Sequence, residues 1–315
     1  MHHRPPLHRA RRHRIAALRQ NGAITPKARY AVLALGLVLL ISLLIFYRPV
    51  STESTRLLHR EPSQFGSVLV FEEHGQRCLD FNAIEDGGRQ TCFDLAAPDH
   101  MVFTYTRMMT SALFVNPDPA NILIIGLGGA TLQNALQKIL PRATIDSVEV
   151  DPAVARMSER YFGYKPGPRQ RVFIEDGRAF VERARQNGQH YDMVMLDAFD
   201  VDYIPPHLQT REFLEQVRAL LSPSGVLVAN TFTRRLGYDR ESATYAAVFG
   251  DFFNLRSGNR VIIASRENLP DHDTLSRNAN GLASTLSRFG IDVERELQRF
   301  STIRDWDEGV AVLTD

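Results

Sequence analysis

The residues with the types and spacing to do chemistry fall in four short stretches, each at the end of an apolar run. Asp197 and Asp200 follow Tyr191-Asp-Met-Val-Met-Leu196. Three apart in a turn, they are placed to face one cleft. Paired carboxylates there would hold a cationic amine and let one of them act as a base; the alternative is loop acids in water. Gly126, Gly128 and Gly129 follow Asn121-Ile-Leu-Ile-Ile125. Such a turn lets the backbone bend and come close to a ligand, because no Cβ stands in the way. The helix that starts at Thr131 turns its free N–H groups toward that ligand. Glu149 lies 23 residues after Gly126, in Val148-Glu-Val-Asp-Pro152. An acid so placed accepts hydrogen bonds from ribose hydroxyls. Asp151, before Pro152, fits a helix cap followed by a first-turn proline. Asp176, before Gly177, can accept from an adenine amino group, cap the next helix, or do both. Ile204-Pro-Pro-His-Leu208 reads as a lid-like loop, with His207 a loop histidine and not a catalytic group.

These residues need strands to carry them. Strands are expected at 121–126, 145–150, 171–174, 191–197 and 225–231, with helices at 131–139, 152–161, 177–187 and 210–221. Strict alternation predicts a parallel sheet covered on both faces. Ligands bind such sheets at the C-terminal strand ends, where all four stretches lie. Two further strands, 252–256 and 260–264, flank Ser257-Gly-Asn259, a hairpin signal. The fold class is therefore α/β, a class I methyltransferase-like Rossmann sheet. Before it, 67–72, 77–81 and 90–94 read as strands of a small antiparallel β unit with a turn at Glu85-Asp-Gly-Gly88. A helix is expected over Met101–Leu113.

The N-terminal part is different. Residues 1–29 carry eight Lys/Arg and no acid, leaving 29 basic against 36 acidic residues in the rest. A nucleic-acid reader usually has a basic folded domain, so nucleic acid is excluded as the main partner. The tail is expected to be disordered. Tyr30–Tyr47 is eighteen residues without a charge, about 27 Å as a helix, with tyrosines at both ends. It reads as one transmembrane helix, not a cleaved signal, since Phe46-Tyr-Arg-Pro49 is a poor cleavage site. The positive-inside rule puts the N-terminus in the cytosol of an inner (plasma) membrane and residues 48–315 on the far side. Cys78 and Cys92 are either two small half-buried hydrophobes or one bridge across a hairpin, which needs an oxidising compartment. The expected divisions are tail 1–29, membrane helix 30–47, linker 48–63, β unit with helix 64–115, and nucleoside-binding domain 116–315. No Ser–His–Asp, Cys–His or metal-ligand pattern is present, so no metal is expected. The dinucleotide pattern G-x-G-x-x-G would need Gly at 131, where the chain has Thr131.

As a set, the stretches resemble the spermidine synthase (polyamine aminopropyltransferase) family, in its bacterial membrane-anchored branch. The resemblance covers about 66–315 and includes Leu208-Gln-Thr-Arg-Glu-Phe213, Ser222-Pro-Ser-Gly225 and Val312-Leu-Thr-Asp315. It implies transfer of an aminopropyl or related group from a sulfonium nucleoside, of the decarboxylated S-adenosylmethionine type, to a small amine. It implies Glu149 on the ribose, Asp176 with Gly177 on the adenine, and Asp197 with Asp200 on the amine, Asp197 being the base. Tyr105, in Thr104-Tyr-Thr106, matches the family's acceptor-site tyrosine, and a homodimer is usual there.

The chain departs from the family in three places. Ala130 or a neighbour stands where the family has an acid for the donor's free amine. Thr106 and Arg107 replace the acceptor-site Gln or His and the following Glu, and Asp197-Ala-Phe-Asp200 replaces Asp-Ser-Ser-Asp-Pro. Two rival readings therefore stand: a methyltransferase using S-adenosylmethionine itself, and a non-catalytic membrane-anchored binding protein of the same fold. The second draws weight from topology, because the periplasm should lack such nucleosides.

Overall fold

The computed structural model describes residues 55–84, 89–198, 204–233 and 237–315, together with Lys27, Tyr30, residues 35–37 and Ser42. The chain divides into Met1–Thr52 and Glu53–Asp315. In the first unit the six described residues are helical. Most of the expected membrane helix 30–47 and of the tail 1–29, the turn at 85–88 and Asp200 lie outside the described residues. Among the described residues no helix is long and apolar enough to cross a membrane.

The second unit opens with an antiparallel sheet in the order β1 (Arg56–Ser63), β2 (Gly66–Glu73), β3 (Gln76–Phe81), β4 (Thr91–Asp94). The expected linker 48–63 is corrected here, because from Arg56 onward it is a strand paired with β2. Its charges and Pro62 hid it, and these are what an edge strand carries against unwanted pairing. Val68, Val70 and Leu79 of this sheet pack on Ala153, Val154 and Met157 of helix α3 (Pro152–Tyr161). Cys78 and Cys92 face each other across β3 and β4 and form a disulfide, buried with Phe71. The expected helix 101–113 starts later. Met101 bridges Phe93, α1 spans Thr104–Thr110, and a 3-10 turn continues to Phe114.

The second sheet has seven strands in the order β10-β11-β9-β8-β5-β6-β7. Here β5 is Asn121–Ile125, β6 Thr144–Glu149, β7 Gln170–Ile174, β8 Tyr191–Leu196, β9 Leu221–Phe232, β10 Phe253–Ser257 and β11 Asn259–Ser265. Strands β5 to β9 run parallel, and β11 turns antiparallel against β9 and β10. This is the expected parallel sheet with a closing hairpin. Period-two alternation builds both faces. Ile122, Ile124, Met193 and Met195 enter one core, and Leu123, Ile125, Val194 and Leu196 enter the other. The crossover helices α2 (Thr131–Ile139), α3, α4 (Gly177–Gln186) and α5 (Arg211–Leu220) fall where expected. Helices α6 (Tyr238–Phe249), α7 (His272–Ser287) and α8 (Val293–Leu297) were not foreseen.

Candidate active site

The glycine turn is held by close neighbours. Gly126 has φ +106°, and a Cβ there would lie 2.3 Å from the Asp197 carbonyl oxygen. Side-chain-free backbone therefore lets the tips of β5 and β8 touch. At Gly129 a Cβ would lie 2.5 Å from Thr91 Cγ2, so the start of β4 closes over the turn. Ala130 also has positive φ (+56°), and no side chain caps α2. The first N–H groups of that helix thus have no side-chain acceptor at the cap, which suits a ligand.

Glu149 ends β6 beside this turn. Its Oε2 accepts the Leu127 N–H at 3.1 Å and its Oε1 the Asp151 N–H at 3.0 Å. Burial pushes its pKa above the ordinary carboxylate value, against those backbone donors. Asp151 caps α3 as expected, accepting from Ala153 N at 2.8 Å. It also accepts from the Ser63 hydroxyl and the Gln64 N–H, fastening the β1–β2 turn beside the site.

Asp176 caps α4, its Oδ1 accepting Arg178 N and Ala179 N, each at 3.0 Å. Its Oδ2 lies 2.8 Å from His207 Nε2. Burial would raise its pKa, but the Ala179 N–H, His207 and the Arg178 N–H outweigh it and the group sits low. Gly177 packs so closely that a Cβ would lie 2.6 Å from Ile125 Cγ2.

Asp197 follows β8 and takes its place from the Asp197 N–H donated to Ile125 O at 2.8 Å. Its Oδ1 accepts from Asn230 Nδ2 at 3.0 Å, and Asn259 Nδ2 donates in turn to Asn230 Oδ1 at 3.3 Å. Desolvation pushes the Asp197 carboxyl up to about 7, with the Asn230 bond pulling the other way. Burial and the Asp197 carboxylate drive the Tyr105 hydroxyl well above its ordinary value, so it stays protonated. Tyr105 stacks on Phe103 at 5.9 Å.

Gly126, Gly128, Gly129, Glu149, Asp176, Gly177, Asp197 and Tyr105 all line one cavity of about 700 Å³, within the usual range for a small-molecule site. Asp200 lies outside the described residues. Arg107 turns to its own loop, donating to Met101 O, Val102 O and Thr104 Oγ1. Sequence reasoning missed Asn230, Thr91 and Phe65 as cavity residues. Only Asn230 left a signal, a polar residue ending the apolar run Val226-Leu-Val-Ala229.

The sheet order, with the cavity at its switch point, defines a methyltransferase-like α/β fold. The family described as spermine/spermidine synthase domain matches residues 102–250. A polyamine aminopropyltransferase of Vibrio vulnificus is 43% identical over 285 residues, 89% of this chain and 95% of that protein. A probable spermidine synthase from Corynebacterium glutamicum shares the fold with TM-score 0.61 and 19% identity, over 82% of this chain and 98% of that one. Human methyltransferase-like protein 13, solved in complex with SAH, aligns with TM-score 0.53 and 25% identity, over 66% of this chain and 96% of that one. The chain belongs to the spermine/spermidine synthase family. It is an enzyme, a spermidine-synthase-like aminopropyltransferase.

Proposed function

We propose that the donor is decarboxylated S-adenosylmethionine and that Asp197 is the base that readies a small amine acceptor. The observation that carries this is the placement of Asp197 in the same cavity as Glu149 and Tyr105, with desolvation pushing its carboxyl up to about 7. An alkylammonium group titrates at about 10 and is protonated at neutral pH. A carboxyl raised toward it accepts that proton more readily than an ordinary one, and its charge first attracts the ammonium. The freed nitrogen lone pair then forms a bond to the methylene carbon on the sulfonium. The carbon–sulfur bond breaks, its electrons stay on sulfur, and a neutral thioether leaves. The product is a secondary ammonium that keeps its proton at neutral pH, and Asp197 releases to water the one proton it took. Because the sulfonium is already a good leaving group, positioning and electrostatics supply the rest.

Glu149 would take the ribose hydroxyls, Asp176 and Gly177 the adenine, and Tyr105 the acceptor. Methyl transfer from S-adenosylmethionine is the second reading. The glycine turn favours it, since Gly128, Gly129 and Ala130 offer no carboxylate to a donor's free amine. Titration calorimetry of the full chain with both nucleosides, followed by product analysis with a diamine, tests the pair. Tighter binding of the decarboxylated form with an aminopropylated product is expected. Preference for S-adenosylmethionine would replace the first reading by the second, and binding of neither would sink both.

We propose, too, that residues 30–47 anchor the enzyme in a membrane. The uncharged run supports this, as do Leu35 and Leu37, helical and exposed as lipid-facing residues would be.

A further inference from the structure

The loop histidine set aside on sequence grounds is tied to the nucleoside end of the cavity at three points. Its Nε2 meets Asp176 Oδ2 at 2.8 Å. Its backbone carbonyl accepts from Arg178 Nη1 at 3.3 Å, and Arg178 is itself fixed by Asp315, 2.6 Å from each carboxylate oxygen. Its 3-10 turn, Pro206–Leu208, is closed by the Leu208 N–H donated to Pro205 O at 2.9 Å and anchored by buried Leu208. Both partners line the cavity, yet their side chains are still 46% and 43% exposed. A ligand in the cavity can therefore reach them.

We infer that His207 is a specificity-determining residue for the base of the nucleoside co-substrate, acting as the positioning partner of Asp176. The inference rests on the nucleoside reading of the site given above. An ionised carboxylate only accepts, so the imidazole donates Nε2–H to Oδ2. With Oδ1 already holding two backbone N–H groups, the His207 bond fixes the last freedom of the carboxylate. Oδ2 is then presented as an oriented acceptor with lone-pair capacity left over. A 6-amino purine offers that oxygen an N–H donor. A 6-oxo purine offers it another oxygen, which a carboxylate repels, and a site built to accept a hydrogen bond rejects the analogue that cannot donate one. Without His207 the carboxylate oxygen is freed to water, and the preference for the amino base weakens.

The test uses the full-length chain and two thioether nucleosides, 5′-methylthioadenosine and 5′-methylthioinosine, titrated by calorimetry. The wild type is expected to prefer the adenine compound. His207→Ala should reduce that preference about ten-fold, the size of one hydrogen bond to a charged group. His207→Gln, which keeps an N–H donor, should restore most of it. In turnover, His207→Ala should raise KM for the nucleoside and leave KM for the amine and kcat near wild type. An unchanged adenine preference in His207→Ala, or equal losses in His207→Ala and His207→Gln, would overturn the inference while leaving the nucleoside site standing. A wild type that binds neither compound would instead overturn the nucleoside reading itself, and the inference with it.

Discussion

As the proposed base, Asp197 combines two properties that pull against each other, a charge that proton removal would need and a surrounding that disfavours it. Its carboxyl is pushed up to about 7 by desolvation, so the base form gains population as pH rises through 7. The rate at limiting amine should climb across that window and level off above it. Asp197→Asn should lower kcat by roughly 10²–10⁴, the usual worth of a positioned base, with nucleoside affinity retained in calorimetry. Asn230 stabilises the charged form through its 3.0 Å bond. Asn230→Ala should therefore move the acidic limb of the pH–rate profile to higher pH, and a limb that stays put would remove Asn230 from this role. The same shift has a consequence for stability. A folded-state pKa above the unfolded value means stability that is present at low pH and lost as pH rises toward 7. Asp197→Asn should thus raise Tm at pH 8 and change it little at pH 4, read by thermal melts at both pH values. At this scale the sequence was informative where a strand delivers its own tip residue, as with Glu149, Asp176 and Asp197. It was silent on Asn259, because a hairpin residue joins Asp197 only through Asn230 once β11 has paired with β9.

β5, β8 and the small sheet meet at the glycine turn, and its glycines are not equivalent. At Gly126 an added Cβ meets the backbone carbonyl of Asp197 at 2.3 Å with φ +106°. Backbone cannot yield as a side chain can, and left-handed strain adds to the clash. Gly126→Ala should destabilise the protein by about 2–4 kcal/mol in denaturant titration. Gly128 has φ +50° and its Cβ would meet nothing within 4 Å; two residues on, Ala130 already sits at φ +56°. Gly128→Ala should fold at a cost of only about 1 kcal/mol yet weaken nucleoside binding, since the methyl enters the cavity. Equal stability losses for the two would refute this reading of the turn. The disulfide is the other device at this scale. It joins residues 14 apart, and removing it as Cys78→Ala/Cys92→Ala should cost about 3 kcal/mol by loop entropy. The parallel strands and their crossover helices were legible because each carries a long apolar run or a clear helical stripe. Helix α7 was not: it spends Asn278, Asn280 and Gly281 in its interior. It buries only Leu275, Ala279 and Leu286, and it is held by packing on the 3-10 turn Ser111–Phe114 and on α8, contacts its own sequence does not announce. Strand β1 escaped notice for the opposite reason, being polar because it is an edge.

For the whole molecule, two observations point to one side of a membrane and a third resists them. Eight Lys/Arg precede the uncharged run and none of the flanking residues 1–29 is acidic, whereas Arg48, Glu53, Arg56, Arg60 and Glu61 nearly cancel after it. With the proposed anchor, the positive-inside rule then predicts a catalytic domain outside the cytosol. The disulfide is closed across β3 and β4, and such bonds persist in oxidising compartments. Against both stands the chemistry, because a sulfonium nucleoside is made where its precursors are, in the cytosol. A C-terminal alkaline phosphatase fusion decides between them, since that enzyme is active only after export. Charge and disulfide together predict an active fusion, together with cysteines that resist alkylation in extracts until they are reduced. With that outcome the cavity must be fed from outside the cytosol, and the donor becomes the first thing to identify. An inactive fusion with freely alkylated thiols would place the domain with its nucleosides. It would also show that the close approach of Cys78 and Cys92, forced by the β3–β4 register, does not report the compartment.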